Sequence, residues 1–214
     1  MNRSLAFQVL TLCVAASLVG CAHDHESCAH AHTTPNAAVA NGFPLADPIT
    51  APASLTVRSA DFAEGGAIPL THVFSGMGCG GGNESPALAW SGAPEGTQSY
   101  AIVVHDPDAP TGVGFFHWSV FDLPAATTSL ARNAAASPPA GAVMGRTDFG
   151  TNTYGGPCPP PGAPHRYAFT VYALDVPSLG VDATASGALL RFMLAQHTLA
   201  YGRLVGTYQR SESP

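Results

Sequence analysis

From Ala53 onward, apolar and polar positions alternate in short runs separated by turn-forming residues, a pattern of strands rather than helices. Ser54–Arg58 alternates apolar and polar side chains, as a strand with one covered face requires. Tyr100–His105, Phe115–Leu123 and Arg166–Leu174 are rich in β-branched and aromatic residues and predict the strongest strands, while Leu204–Tyr208 predicts one that closes a sheet. Gly76–Gly82, Pro138-Pro139 and Gly155–Gly162 break any helix between them. The spacing predicts one helix from about Thr184 to Ala200, capped by Ser186 and carrying a stripe of Leu189, Leu190, Met193, His197 and Leu199-Ala200. No internal repeat and no second hydrophobic unit interrupts residues 53–210, so the expectation is one mainly β domain with a short C-terminal helix.

The first 52 residues follow a different pattern. Arg3 followed by the apolar stretch Leu5–Val19 reads as a bacterial export signal over residues 1–20, too short for a spanning helix. Leu18-Val19-Gly20-Cys21 matches the lipobox of bacterial lipoproteins, in which the cysteine (here Cys21) is diacylated and becomes the new N-terminus; an ordinary cleaved signal or a short anchor is the alternative. The expected location is then a membrane-anchored lipoprotein facing the periplasm or the cell surface, touching membrane through its lipid alone. Residues 21–52 lack apolar periodicity and read as a flexible His-rich tether. Within it His23, His25, Cys28, His30 and His32 are ligand types that suit zinc, nickel or copper. A flexible tract has no neighbours to orient such ligands, and a hydrophilic spacer is the competing interpretation.

Composition narrows the function. Apolar residues make up 46% and charged residues 10%, which excludes a disordered chain. The net charge of -6 and eight scattered arginines give no phosphate-backbone footprint, so nucleic acid is not an expected partner.

Strand alternation places His117 with Ser119 and Phe121, opposite Trp118 and Val120, and sets His165, Tyr167, Phe169 and Val171 on one face. Asp106 stands where an apolar strand enters the turn Asp106-Pro107-Asp108-Ala109-Pro110. Each of these has a structural alternative: Asp106 as a turn initiator, His117 and His165 as histidines satisfied by a carbonyl. Spacing alone does not bring three separate segments together.

At these residues the chain resembles the phosphatidylethanolamine-binding protein (PEBP) family, in its bacterial Raf kinase inhibitor-like branch. The resemblance rests on Asn83-Glu84-Ser85-Pro86-Ala87-Leu88-Ala89-Trp90, Asp106-Pro107-Asp108-Ala109-Pro110, Phe116-His117-Trp118, Tyr154-Gly155-Gly156-Pro157-Cys158-Pro159-Pro160 and the run from His165 to Leu174, in the family's order. It implies an antiparallel β-sandwich-like fold with a small cavity lined by Asp106, His117, Gly156, Pro157, Pro159, Pro160, His165 and Tyr167. Pro161 stands where many relatives carry Lys or Arg, and Glu84 where a small apolar residue is common. Two imidazoles and amides of the Gly-rich turn would donate to phosphate, sulfate or carboxylate oxygens, with Asp106 orienting one histidine. Cys79 and Cys158 lie in Gly-rich loops that both border this pocket and, in an oxidising compartment, are disulfide candidates; two buried thiols are the alternative.

The expected function is therefore an exported protein binding a small anionic ligand, possible lipid head groups included, without a cofactor and with a regulatory role or a homodimer left open. A hydrolase of small esters is the second class, short of a nucleophile: there is no Gly-x-Ser-x-Gly elbow, and Ser119 is only a strand residue beside His117. An inhibitor of proteases or kinases, acting through surface loops, is the third, and rests on the family label alone.

Overall fold

The computed structural model describes residues 49–211. The export signal, Cys21 and the metal-ligand tract of the tether lie outside them. Strand β3 (Ser99–Asp106) is the centre of the domain. Its near-continuous apolar run has both faces buried, which suits only a strand with neighbours on each side and a layer above and below. It lies between β4 (Phe115–Pro124) and β7 (His165–Leu174) in an antiparallel five-stranded sheet. The sheet is completed at its edges by β6 (Val143–Met144) and β8 (Thr198–Tyr208). A three-stranded sheet of β1 (Thr56–Arg58), β2 (Leu88–Ser91) and β5 (Ser129–Leu130) forms a second layer.

Two cores follow from this layering. Ile102, Val104, Trp118, Val120, Phe169 and Val171 pack with Leu55, Leu88, Trp90 and Leu130 of the small-sheet side. Ala101, Val103, Phe121, Tyr172 and Leu174 pack instead with Leu190 and Leu194 of helix α1 (Gly187–His197). Each of those two leucines is fully buried, which contributes about 2 kcal/mol apiece. Ile49 is buried in the same helix-side cluster, and the Pro52 carbonyl accepts from the Tyr201 amide. The packed chain therefore reaches back past residue 53, and the tether expected up to residue 52 ends earlier.

The helix is capped as expected, the Ser186 hydroxyl accepting from the Leu189 amide at 3.2 Å. It ends at His197, three residues short of the expected Ala200, because Thr198–Ala200 join the ladder with β7 through Leu174↔Thr198 and Ala173↔Ala200. The closing strand is accordingly longer than Leu204–Tyr208. Among the described residues no helix is long and apolar enough to cross a membrane.

Two register shifts break the β3–β4 ladder. One lies between the Tyr100 and Ile102 pairs, where Asp122 takes φ +56° while its carboxylate accepts from the Leu179 amide and the Ser178 hydroxyl. The other lies between Val104↔Trp118 and His105↔Phe116, which leaves His117 as the unpaired extra residue. A bulge there reverses the alternation. Phe116 packs on the helix side, whereas Trp118 packs on the small-sheet side.

Candidate ligand-binding site

The bulge corrects the strand-parity expectation for His117. Its ring does not share a face with Ser119 and Phe121 but turns towards Tyr167, with the ring centroids 5.1 Å apart. Ser119 faces the helix side, against Gly145 and paired with Val103. A two-for-one pairing thus brings an imidazole from β4 to a phenol from β7 and separates it from the neighbouring hydroxyl.

Asp106 ends β3 and is buried. One carboxylate oxygen accepts from the Asp108 amide at 2.8 Å, closing the turn that its Asp-Pro sequence favours. The other accepts from His165 Nδ1 at 2.7 Å. The next acid repeats the arrangement one residue over, because Asp108 takes the amide, Nε and Nη2 of Arg166 at 2.6–2.9 Å. Against the cost of burial, Arg166 holds the Asp108 carboxyl below its usual range. Two acids of one turn thus fix the first two residues of β7.

His117 donates from Nδ1 to the Gly155 carbonyl at 2.8 Å. A carbonyl only accepts, so Nδ1 carries the proton and Nε2 of the neutral ring is a bare acceptor. Nε2 makes no hydrogen bond to protein. Phe115, Phe149 and Tyr167 surround the ring at centroid distances of 5.1, 5.4 and 5.1 Å. Burial in this aromatic cage lowers its proton affinity, more than the Gly155 bond and the Asp106 charge raise it. The Tyr167 hydroxyl is buried and makes no hydrogen bond by distance and angle. Burial first, then the Asp106 charge, pushes its pKa far up, so it stays a phenol.

The cavity where these groups meet holds about 130 Å³, below the several hundred typical of a pocket enclosing a whole drug-sized molecule. Its walls include Asp106, His117, Pro159, Pro160, His165 and Tyr167, so six of the eight expected residues converge there. Gly156 and Pro157 do not line it. The Gly156 amide donates to Asn83 Oδ1 at 2.8 Å, and the Pro157 carbonyl accepts from the Phe74 amide at 3.0 Å. The Gly155 amide is bonded to the His117 carbonyl at 2.9 Å. The expected Gly156 amide and the Gly155 amide beside it are therefore already committed, and Gly156 and Pro157 brace the wall from behind.

Cys79 and Cys158 form a disulfide, and Cys158 also lines the pocket. Sequence reasoning missed Phe115, Phe149 and Thr111 as lining residues, and Asn83 as the side chain that holds the Gly-Pro loop. Asn83 stood inside a motif already singled out, whereas Phe149 carries no local signal. Among the described residues no group of three His, Cys, Asp or Glu side chains is placed to hold a metal.

The lowered His117 affinity has a consequence for stability. The unfolded chain takes up a proton near pH 6.5 and the folded chain only at lower pH, so this stabilisation is complete above 6.5 and is lost as pH falls below it. His105, also lowered chiefly by burial, acts in the same direction. Denaturation followed from pH 7.5 to 5 should show a steeper loss in the native sequence than in His117→Gln, by up to about 1.4 kcal/mol per pH unit. Equal slopes would show that His117 does not fold as a neutral ring.

The family model described as phosphatidylethanolamine-binding protein matches residues 58–209. The chain belongs to this family of ligand-binding proteins. It is 46% identical to the UPF0098 protein YbcL of Escherichia coli over 162 residues, covering 73% of this chain and 88% of the relative. The crystal structure of E. coli YbcL, described as a new member of the mammalian PEBP family, superposes with a TM-score of 0.72 at 46% identity, covering 74% of this chain and all (100%) of that one. A Mycobacterium tuberculosis protein named "Putative lipoprotein LppC" is 37% identical over 163 residues, covering 76% of each chain.

Proposed function

We propose that the protein is an exported, lipid-anchored binding module whose pocket takes one small phosphorylated or related oxyanion group, held end-on. The observation that carries this reading is a pair of polar atoms on two residues of one cavity wall, His117 Nε2 and the buried Tyr167 hydroxyl, that have no protein hydrogen-bond partner by distance and angle. Buried polar groups in native proteins are normally satisfied, so a pair left open in one pocket is a ligand site waiting for its hydrogen bonds. The volume suits a head group and not a lipid with its tails. Anchoring through Cys21 is supported by the lipobox and by the name of the mycobacterial relative.

Binding without turnover is favoured over hydrolysis by the site itself. No serine and no free thiol lines the pocket among the described residues, since Cys158 is bridged and Ser119 faces the other side of the sheet. Calorimetric titration with inorganic phosphate and with phosphoethanolamine should give saturable binding, weakened about tenfold in Tyr167→Phe and in His117→Ala. No binding of either compound would overturn the reading. Turnover of phosphoesters lost in both variants would replace it with the hydrolase.

A further inference from the structure

Away from the pocket, we propose that residues 43–48, which lie just upstream of the described residues, dock as a strap on the outer face of helix α1, with Phe43 and Leu45 covering Leu189 and Phe192. A surface helix ordinarily turns polar residues outward. On α1, Leu189 is 44% exposed and Phe192 65%. Ala188 and Ala195 are exposed with them, so positions i, i+1, i+4 and i+7 form one apolar stripe. Five large apolar side chains are exposed among the described residues, and only these two share an element. A shallow depression lined by Gly180, Val181, Asp182, Thr184 and Ala185 adjoins the stripe at Leu189.

The point where the described chain begins identifies the occupant. Ile49 is buried in the cluster that holds Leu190 and Leu194, with Val181 and Met193 packed against it. The chain therefore enters the domain beside α1. Residues 21–38 contain no large apolar side chain, whereas Val39, Phe43 and Leu45 gather just upstream of Ile49. Phe43 precedes Ile49 by six residues, a reach of about 19 Å in extended chain. The 11 residues of α1 span about 16 Å, so the whole stripe is within reach. Ordering six residues of free coil would outweigh the burial of two side chains. Here Pro44 and Pro48 lock their own φ, and each keeps the residue before it, Phe43 and Asp47, out of the helical region. Four of the six residues are thus restricted towards an extended form before docking, which lowers the entropy lost.

A membrane surface fits the stripe less well. Helices that lie in a membrane interface carry rows of Lys and Arg, whereas α1 has one arginine and no lysine, and Arg191 sits over the Phe116 ring, 5.9 Å from its centroid. With the strap docked, the free tether ends near residue 42. That shortens the reach of the domain from a membrane by up to about 20 Å where Cys21 carries a lipid.

The test is limited proteolysis of the full chain by a chymotrypsin-type protease, read at the Leu45–Ala46 bond, together with nuclear Overhauser contacts of the Phe43 ring. A docked strap must leave the helix before it can be cut. Cleavage is therefore expected to be at least about tenfold faster in Phe192→Ser than in the native chain, and the Phe43 ring is expected to contact Phe192 and the Leu189 methyls. Phe192 is exposed, so the serine leaves the core intact, and an unchanged melting temperature of the domain would confirm that. Equal cleavage rates, or a Phe43 ring without contacts to α1, would overturn the proposal. Contacts to Phe192 that come from another molecule, vanish on dilution and accompany a doubled mass in sedimentation would overturn it too, in favour of a second copy of the chain on this face.

Discussion

Replacing Cys158 with serine is expected to destabilise the domain by about 3–4 kcal/mol. The bridge to Cys79 closes a loop across a sequence separation of 79. Loop-closure entropy for that length amounts to about 4.5 kcal/mol in the unfolded chain, and native bridges in exported domains usually return 2–5. The two loops it joins are already zipped by other bonds, which is why a value below the full loop-closure figure applies. Asn83 holds both the Tyr154 carbonyl and the Gly156 amide, the Tyr154 hydroxyl donates to the His72 carbonyl, and Phe74 donates to Pro157. Urea denaturation with and without reductant would measure the loss, and Cys79→Ser should match Cys158→Ser. A loss below about 1 kcal/mol would mean that the backbone contacts alone hold the wall. Ligand affinity should fall as well, since Cys158 is part of the pocket.

Gly156→Ala is the second large effect. A Cβ at this position would lie 2.1 Å from the His72 carbonyl oxygen and 2.6 Å from the Phe74 amide nitrogen, both backbone atoms that no rotamer change can move. One methyl therefore has to separate the Gly-Pro loop from the 72–74 segment, costing about 3 kcal/mol, the upper part of the usual range for overpacking. The displacement would also carry the neighbouring Gly155 carbonyl away from His117 Nδ1 and free the ring to change its tautomer. Thermal denaturation together with phosphate titration reads both consequences. An alanine variant as stable as the native protein and equal in affinity would show that the close approach is not needed.

The parts of this fold legible in the sequence are those in which apolar density leaves one answer. β3, β4 and β7 were predicted because β-branched and aromatic runs of that length have no other use in a domain with so many Gly and Pro breaks. β2, β5 and β6 were missed: with four, two and two residues they are too short to show a period, and the pairing that defines them is with distant chain. The helix end was overrun because Leu199-Ala200 continue the helical stripe, whereas the ladder with β7 captures them. The site was harder. Counting by twos assumes an unbroken strand, and nothing in Phe116-His117-Trp118 reveals the extra residue that turns His117 towards Tyr167. The meeting of Asp106 with His165 was supplied by the family resemblance, and depends on the register of β3 and β7 one position beyond His105↔Ala168. Gly156 entered the expected pocket through the family resemblance alone. Its close approach is to the backbone of another loop.

These corrections change the chemistry expected of the pocket. Two donating imidazoles and free loop amides would have made a receiver for any anion. On the proposed reading the receiving groups are a neutral His117 open at Nε2, the Asp106–His165 pair and the Tyr167 phenol. The most direct test of this account is a crystal structure of the protein soaked with phosphate at mildly acidic pH. The account predicts one phosphate in the cavity with an oxygen within hydrogen-bonding distance of His117 Nε2 and another at the Tyr167 hydroxyl. An empty cavity, or a phosphate bound elsewhere while both atoms remain without partners, would contradict it.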